Sequence, residues 1–286
     1  MKISLIKPNS ININPWVKGF RTAGVEVCIN YCTKDCDFIL GASHSQVQNI
    51  IYVHNQFPNI PMINYNWDLY GWVDVNSTAG YNWKAYGEVL KKSLEIWTPS
   101  EEVIFRTGEF FNLEKKCKVI KTFARLFDYN GEIKDNRYIY QPMRYYKKDK
   151  NFGWLKKACL ELEIPLYESL HRLSESEFRK VIAECSFMVT EYHEASTGGL
   201  TLVEGFRLGK PVIVSNSKYM GARDYFEDKA IYFKDSSYEN FKQVIKKTWE
   251  NTPKLDLKTC KKHTDQYSLD KMIDKMTKRI DRKSVV

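Results

Sequence analysis

The residues whose types and spacing can do chemistry crowd together between Glu191 and Pro211. From Ser186 to Ser215 the chain runs apolar, then polar, then amphipathic up to Gly209 and Pro211, then apolar again, which is the order strand, loop, short helix, strand. In an open parallel sheet a ligand binds beyond the carboxyl ends of the strands, where the loop Glu191–Gly199 falls. Ser196 and Thr197 are N-cap residue types, and Gly198-Gly199 ahead of Leu200 and Thr201 lets a ligand approach bare backbone N–H groups at a helix start. That is a cradle for an anion or a sugar. Glu204 stands one turn into the helix, where a carboxylate is expected to stay ionised and accept hydrogen bonds from vicinal hydroxyls such as those of a ribose. A plain dipole-stabilising Glu is the other reading of the same residue.

Other clusters are weaker. Asp35-Cys36-Asp37 has the Asp-x-Asp form of a metal site but lies at the entry of a strand, where an exit would be needed. His44, His54, His171, His193 and His263 show no metal-ligand spacing, so neither metal nor cofactor is expected. Cys28, Cys32 and Cys36 recur every four residues, yet Gly24–Ile29 alternates like a strand and would scatter the thiols. Tyr65, Trp67, Tyr70, Trp72, Tyr81, Trp83 and Tyr86 crowd one stretch, and suit either a surface that stacks on sugars or ordinary packing.

The elements that must position these residues alternate from end to end, the pattern of an α/β fold with parallel sheets. Strands are expected at Lys2–Ile6, Val25–Ile29, Phe38–Leu40, Met62–Tyr65, Ile96–Thr98 and Lys118–Ile120, with helices near Trp16–Ala23, Ser45–Val53, Tyr81–Lys92 and Glu101–Phe110. A second series has strands Arg137–Gln141, Pro165–Tyr167, Phe187–Thr190, Val212–Ser215 and Ile231–Phe233. Its helices lie near Phe152–Leu162, Glu175–Cys185, Leu200–Leu208 and Tyr238–Thr248. The expected domains are therefore 1–127 and 137–268, joined by a polar linker at 128–136, with a last helix in 269–286 that can pack back on the first domain. A length of 286 residues fits two compact domains.

Hydrophobic content of 43% beside 28% charged residues is globular, and no apolar run is long enough to span a bilayer. The start, Met1–Lys7, reads as a first strand rather than a signal peptide, and seven Cys is an odd number for a disulfide framework. Both features point to the cytoplasm. A net charge of +9 suits a diphosphate ligand, a nucleic acid or an acidic membrane surface, although no nucleic-acid motif accompanies the Lys-rich stretches.

The stretch Ser196-Thr-Gly-Gly-Leu-Thr-Leu-Val-Glu204-Gly-Phe-Arg-Leu-Gly-Lys-Pro-Val resembles the Glu-x7-Glu region of retaining family 4 glycosyltransferases. Ser217-Lys-Tyr-Met-Gly-Ala-Arg-Asp-Tyr225 is similar to the family's loop after the next strand. The resemblance is strong over 137–234, weak before residue 93, and departs from the family pattern where Ser196 occupies the register of the first Glu. It implies two Rossmann-like domains facing a cleft, the GT-B fold, and a nucleotide-sugar donor held mainly by the second. Glu204 would bind the ribose, and Arg144 and Lys150 would grip the diphosphate with Gly198, Gly199, Leu200 and Thr201. Ser196, Thr197 and Gly198 would face the donor sugar, and His171, Arg172 and Leu173 would flank the nucleobase. Ser196, Glu194 and Asp68 are the catalytic candidates, Asp68 following the strand where the family often carries a His.

The reaction that the resemblance implies is transfer of a hexose, without a metal, to a glycan, lipid or protein hydroxyl. On the family's frequency of donors alone, it makes GDP-mannose the first donor expected and a UDP-sugar the second. A homodimer and peripheral membrane contact are compatible with the chain. The competing reading is a non-catalytic binder of sugar nucleotides or nucleic acid on the same fold.

Overall fold

The computed structural model describes residues 1–8, 14–67, 82–142, 151–168, 173–193 and 199–282. The chain divides into two compact units, one comprising Met1–Phe123 with the segment from Leu269 onward, the other Ala124–Ser268.

The first unit runs β1 (Lys2–Ile6), α1 (Asn14–Thr22), β2 (Glu26–Ile29), β3 (Phe38–Gly41), α2 (Val47–Gln56), β4 (Met62–Tyr65), α3 (Trp83–Lys92), β5 (Glu95–Thr98), α4 (Glu101–Phe111) and β6 (Cys117–Val119). All its strand pairs are parallel, in the order β2-β1-β3-β4-β5-β6. Phe38–Gly41, Met62–Tyr65 and Glu95–Thr98 are buried throughout, as expected of strands covered on both faces. Alternation along the strands sends Leu5, Leu40 and Ile63 toward Trp16 and Phe20 of α1, and Ile6, Ile39 and Met62 toward α2 and α3.

The second unit runs β7 (Ile139–Gln141), α5 (Trp154–Glu161), β8 (Leu166–Glu168), α6 (Glu175–Glu184), β9 (Phe187–Val189), α7 (Leu200–Arg207), β10 (Val212–Ser215), α8 (Arg223–Phe226), β11 (Ile231–Phe233), α9 (Tyr238–Glu250) and α10 (Leu257–Thr264). Its sheet is also parallel, in the order β11-β10-β9-β7-β8. Ile139, Phe187 and Ile213 face α5 and α9, whereas Tyr140, Met188 and Val214 face α6, α7 and α10. The last helix, α11 (Leu269–Asp281), lays Met272, Ile273, Met276 and Ile280 into the same core as α1 of the first unit.

These elements form where the apolar runs predict them, with shifts of one to three residues at the ends. The short α8 and the helix α10 are additions that the pattern does not announce. The chain crosses between units at Phe123–Ala124. The polar stretch 128–136 is held to the second unit, where the Lys134 N–H donates to Ala183 O at 3.0 Å and the Asn136 N–H to Glu184 O at 2.8 Å. Lys210 Nζ donates to Lys134 O at 2.6 Å. Helix α7 can lie close against β9 because residue 205 is glycine; a Cβ there would run into Met188 Sδ.

Candidate functional site

In the second unit the strand order reverses between β7 and β9, so that chain connections leave this point in opposite directions. A crevice opens at such a switch point beyond the carboxyl ends of the strands. Gln141 ends β7 and Thr190 follows β9, and the pairing of Tyr140 with Met188 brings these two strand ends side by side. Both are polar and buried, at 6% and 0% exposure, and Gln141 Nε2 and Thr190 Oγ1 have no hydrogen-bond partner among the described residues. Strand alternation puts Thr190 on the α7 face and Gln141 on the α5 face.

Glu204, on α7, is the third such residue. It is 3% exposed, on a helix whose Leu202, Val203 and Phe206 belong to the same apolar core as Tyr140 of β7. Oε1 accepts the Arg125 N–H at 3.2 Å and lies 3.4 Å from Arg125 Nε, while Oε2 is buried with no hydrogen-bond partner among the described residues. Burial pushes the carboxyl up to about 7, against the opposing pull of the Arg125 and Arg179 charges. The carboxyl is thus partly protonated near neutral pH, where the sequence reading expects a carboxylate ionised by its place in the helix. Loss of water outweighs a dipole that falls off within the first turn.

Buried polar atoms in folded chains nearly always find a partner. At the switch point the groups left without a partner among the described residues are an amide donor, a hydroxyl and a carboxylate oxygen. Arg125 and Arg179 frame Glu204 from outside: Arg125 lies 5.8 Å over the Phe178 ring and Arg179 lies 4.6 Å over Phe127.

Glu191 is spent differently. Its buried carboxylate accepts the Gly153 N–H at 2.9 Å on Oε1 and the Leu155 N–H on Oε2, which caps the start of α5 and ties it to the end of β9. At α7 the N-cap is Gly199, with no side-chain cap bond, and its Cα packs against Ala222 and Tyr225. Leu200 and Thr201 in the first turn are half-buried, and Leu173 is half-buried just ahead of the Ser174–Glu177 capping box of α6.

Asp68, Arg144, Lys150, His171, Arg172, Glu194, Ser196, Thr197 and Gly198 lie outside the described residues. Of the aromatic cluster, Tyr65, Trp83 and Tyr86 are buried in the first unit's cores, and Trp67 stacks on Trp16 at 5.6 Å between centroids. Tyr65, Trp83 and Tyr86 pack the fold and Trp67 is half-buried against it; Tyr70, Trp72 and Tyr81 lie outside the described residues. Among the described residues no three His, Cys, Asp or Glu side chains gather as a metal site, and no helix is long and apolar enough to cross a membrane. Gln141 and Thr190 were legible only as polar residues closing apolar strands.

No family model and no curated protein sequence matches the chain. Solved structures do. Anabaena HepE in complex with UDP and glucose superposes with a TM-score of 0.71 at 12% identity, over 99% of this chain and 100% of that one. The sucrose-phosphate synthase of Thermosynechococcus elongatus gives 0.70 at 11% identity over 99% and 98%. The lipopolysaccharide outer core galactosyltransferase WaaB, in its apo form, gives 0.69 at 9% over 99% and 100%. The likeness shows the fold, an α/β chain of two parallel-sheet units as in GT-B glycosyltransferases.

Proposed function

We propose that the protein is a glycosyltransferase whose second unit binds a nucleotide-diphosphate sugar at the β7/β9 switch point and transfers the hexose to an acceptor hydroxyl. The observation that carries this reading is the buried, half-paired Glu204, whose Oε2 has no hydrogen-bond partner among the described residues. A ribose diol supplies two O–H donors to such a carboxylate, and a donated hydrogen bond favours the ionised form. The diphosphate then lies toward the start of α7, at Gly198, Gly199, Leu200 and Thr201, with Arg144 and Lys150 as its cations. His171, Arg172 and Leu173 flank the base, and Ser196 and Thr197 face the sugar.

Basic side chains and helix N–H groups can neutralise a diphosphate, so the reading requires no metal. Retention of anomeric configuration is proposed through a front-face route. The anomeric carbon–oxygen bond to phosphate breaks as the acceptor oxygen bonds to the same face, and the acceptor proton passes to the departing phosphate oxygen. With Ser196 in the register of the family's first Glu, neither Glu194 nor Asp68 need serve as a nucleophile. HepE is complexed with UDP and glucose, which favours a UDP-hexose as donor over the GDP-mannose expected first.

The test is calorimetric titration with UDP-glucose, UDP-N-acetylglucosamine and GDP-mannose, followed by measurement of nucleotide-diphosphate release with candidate acceptors. Binding of one donor, with release that depends on an acceptor, is the expected result. Heat from none of them, together with salt-sensitive binding of RNA or DNA, would replace this reading with a nucleic-acid binder.

A further inference from the structure

Three adjacent strands of the second unit, β9, β10 and β11, send side chains to one point beyond their carboxyl ends. His193 follows β9, Tyr219 follows β10 and Asp235 follows β11. His193 Nδ1 lies 2.5 Å from Asp235 Oδ2, and the two side chains retain 15% and 23% of their exposure. The Tyr219 ring stands edge-on to the imidazole, with centroids 5.6 Å apart at 65°.

The segment that carries Tyr219 is fixed by its own hydrogen bonds. The Ser217 N–H donates to Ser215 Oγ at 3.0 Å, the Tyr219 N–H to Ser217 Oγ at 3.2 Å, and Arg223 Nη1 to Asn216 O at 2.8 Å. Pre-set groups of this kind recognise a ligand without first having to be ordered. A carboxylate-held imidazole beside a phenol ring is chemistry for a neutral polyol. Ring nitrogen and carboxylate oxygens exchange hydrogen bonds with hydroxyls, the aromatic edge meets C–H, and the Asp235 charge disfavours a phosphate at the same point.

The placement agrees. Glu204, one turn into α7, accepts the Arg125 N–H. At the start of α7, a Cβ on Gly199 would crowd Ala222 and Tyr225 of the segment that follows β10. A ligand whose nucleoside sits at Glu204 and whose phosphates pass the start of α7 carries its remaining group toward β10 and β11. We propose that His193, oriented by Asp235 and flanked by Tyr219, binds the hydroxyls of the donor sugar and discriminates among sugars. This rests on the donor reading above and extends it to residues that the motif does not contain.

The test titrates the wild type, His193→Gln and Asp235→Asn with the sugar nucleotide that the wild type binds best of the three above, and with its free nucleotide. The free nucleotide reports folding and the nucleoside subsite, so it is the internal control. Loss of one to two hydrogen bonds at the sugar predicts about 10-fold weaker sugar-nucleotide binding with free-nucleotide affinity within about 2-fold of wild type. Unchanged affinity for the sugar nucleotide in both variants overturns the inference, as does equal weakening for both ligands, which marks a structural role. If the wild type binds neither ligand, the donor reading itself fails and this inference with it.

Discussion

Glu95 in the first unit and Glu204 in the second are buried to the same degree, at 4% and 3% exposure, yet their surroundings differ. Glu95 takes Arg279 on both oxygens, Nε to Oε2 at 2.5 Å and Nη2 to Oε1 at 2.6 Å, and the Trp97 indole N–H on Oε2 at 3.0 Å. This carboxylate locks α11 onto β5 and is finished as it stands. Glu204 has Arg125 on one oxygen and, among the described residues, no hydrogen-bond partner on the other. A buried charge left half-paired costs stability, so its retention needs a benefit outside the folded chain, and a ligand hydroxyl supplies one. The two residues separate a carboxylate used for architecture from one held open for binding.

Breaking the finished pair gives the largest effect. Glu95→Gln strands the Arg279 guanidinium and should lower unfolding stability by about 3 kcal/mol in urea titration, with donor affinity of the folded protein unchanged. A negligible loss would mean that full pairing is not what distinguishes Glu95.

The open carboxylate should respond in the opposite direction. Its folded-state value of about 7 stands above the ordinary 4.5, so the folded chain keeps a proton that the unfolded chain releases. Stability from this group is therefore fullest below about pH 4.5 and falls as pH rises to about 7, by on the order of 3 kcal/mol. Glu204→Gln removes that titration. Chemical unfolding should find the variant matched to wild type at pH 5 and more stable at pH 8, and equal stability at both pH values would place the carboxyl near its ordinary range.

A smaller effect is expected at Thr190. Thr190→Val keeps the shape and removes a hydroxyl that has no hydrogen-bond partner among the described residues, so stability should hold within about 0.5 kcal/mol while donor affinity falls about 3- to 10-fold. Loss of stability without loss of affinity would assign Thr190 to the core.

The fold was largely legible because buried parallel strands are continuous apolar runs closed by breakers, and Met62–Tyr65, Val212–Ser215 and Ile231–Phe233 fall where those runs predict. Helix α10 was not. Its inward residues include His263 and Thr264, polar side chains satisfied by partners that only the fold supplies, such as Tyr225 O at 2.7 Å from His263 Nε2. Within the site, Glu204 stands out by its place on the helix after a loop, but its protonation does not, because the burial and the Arg125 contact arise from residues 79 positions away. Gln141 and Thr190 become neighbours only through the pairing of the non-consecutive strands β7 and β9.

The most direct measurement of the central claim is the affinity of UDP-glucose for wild type and Glu204→Gln between pH 6 and 8. The diphosphate diester does not titrate in this range, so the carboxyl is the group that reports. The account predicts that wild-type affinity rises as Glu204 ionises, while the variant binds about 10- to 100-fold more weakly at pH 8 with no pH dependence from this residue. Equal affinity of the two proteins at pH 8 would contradict it.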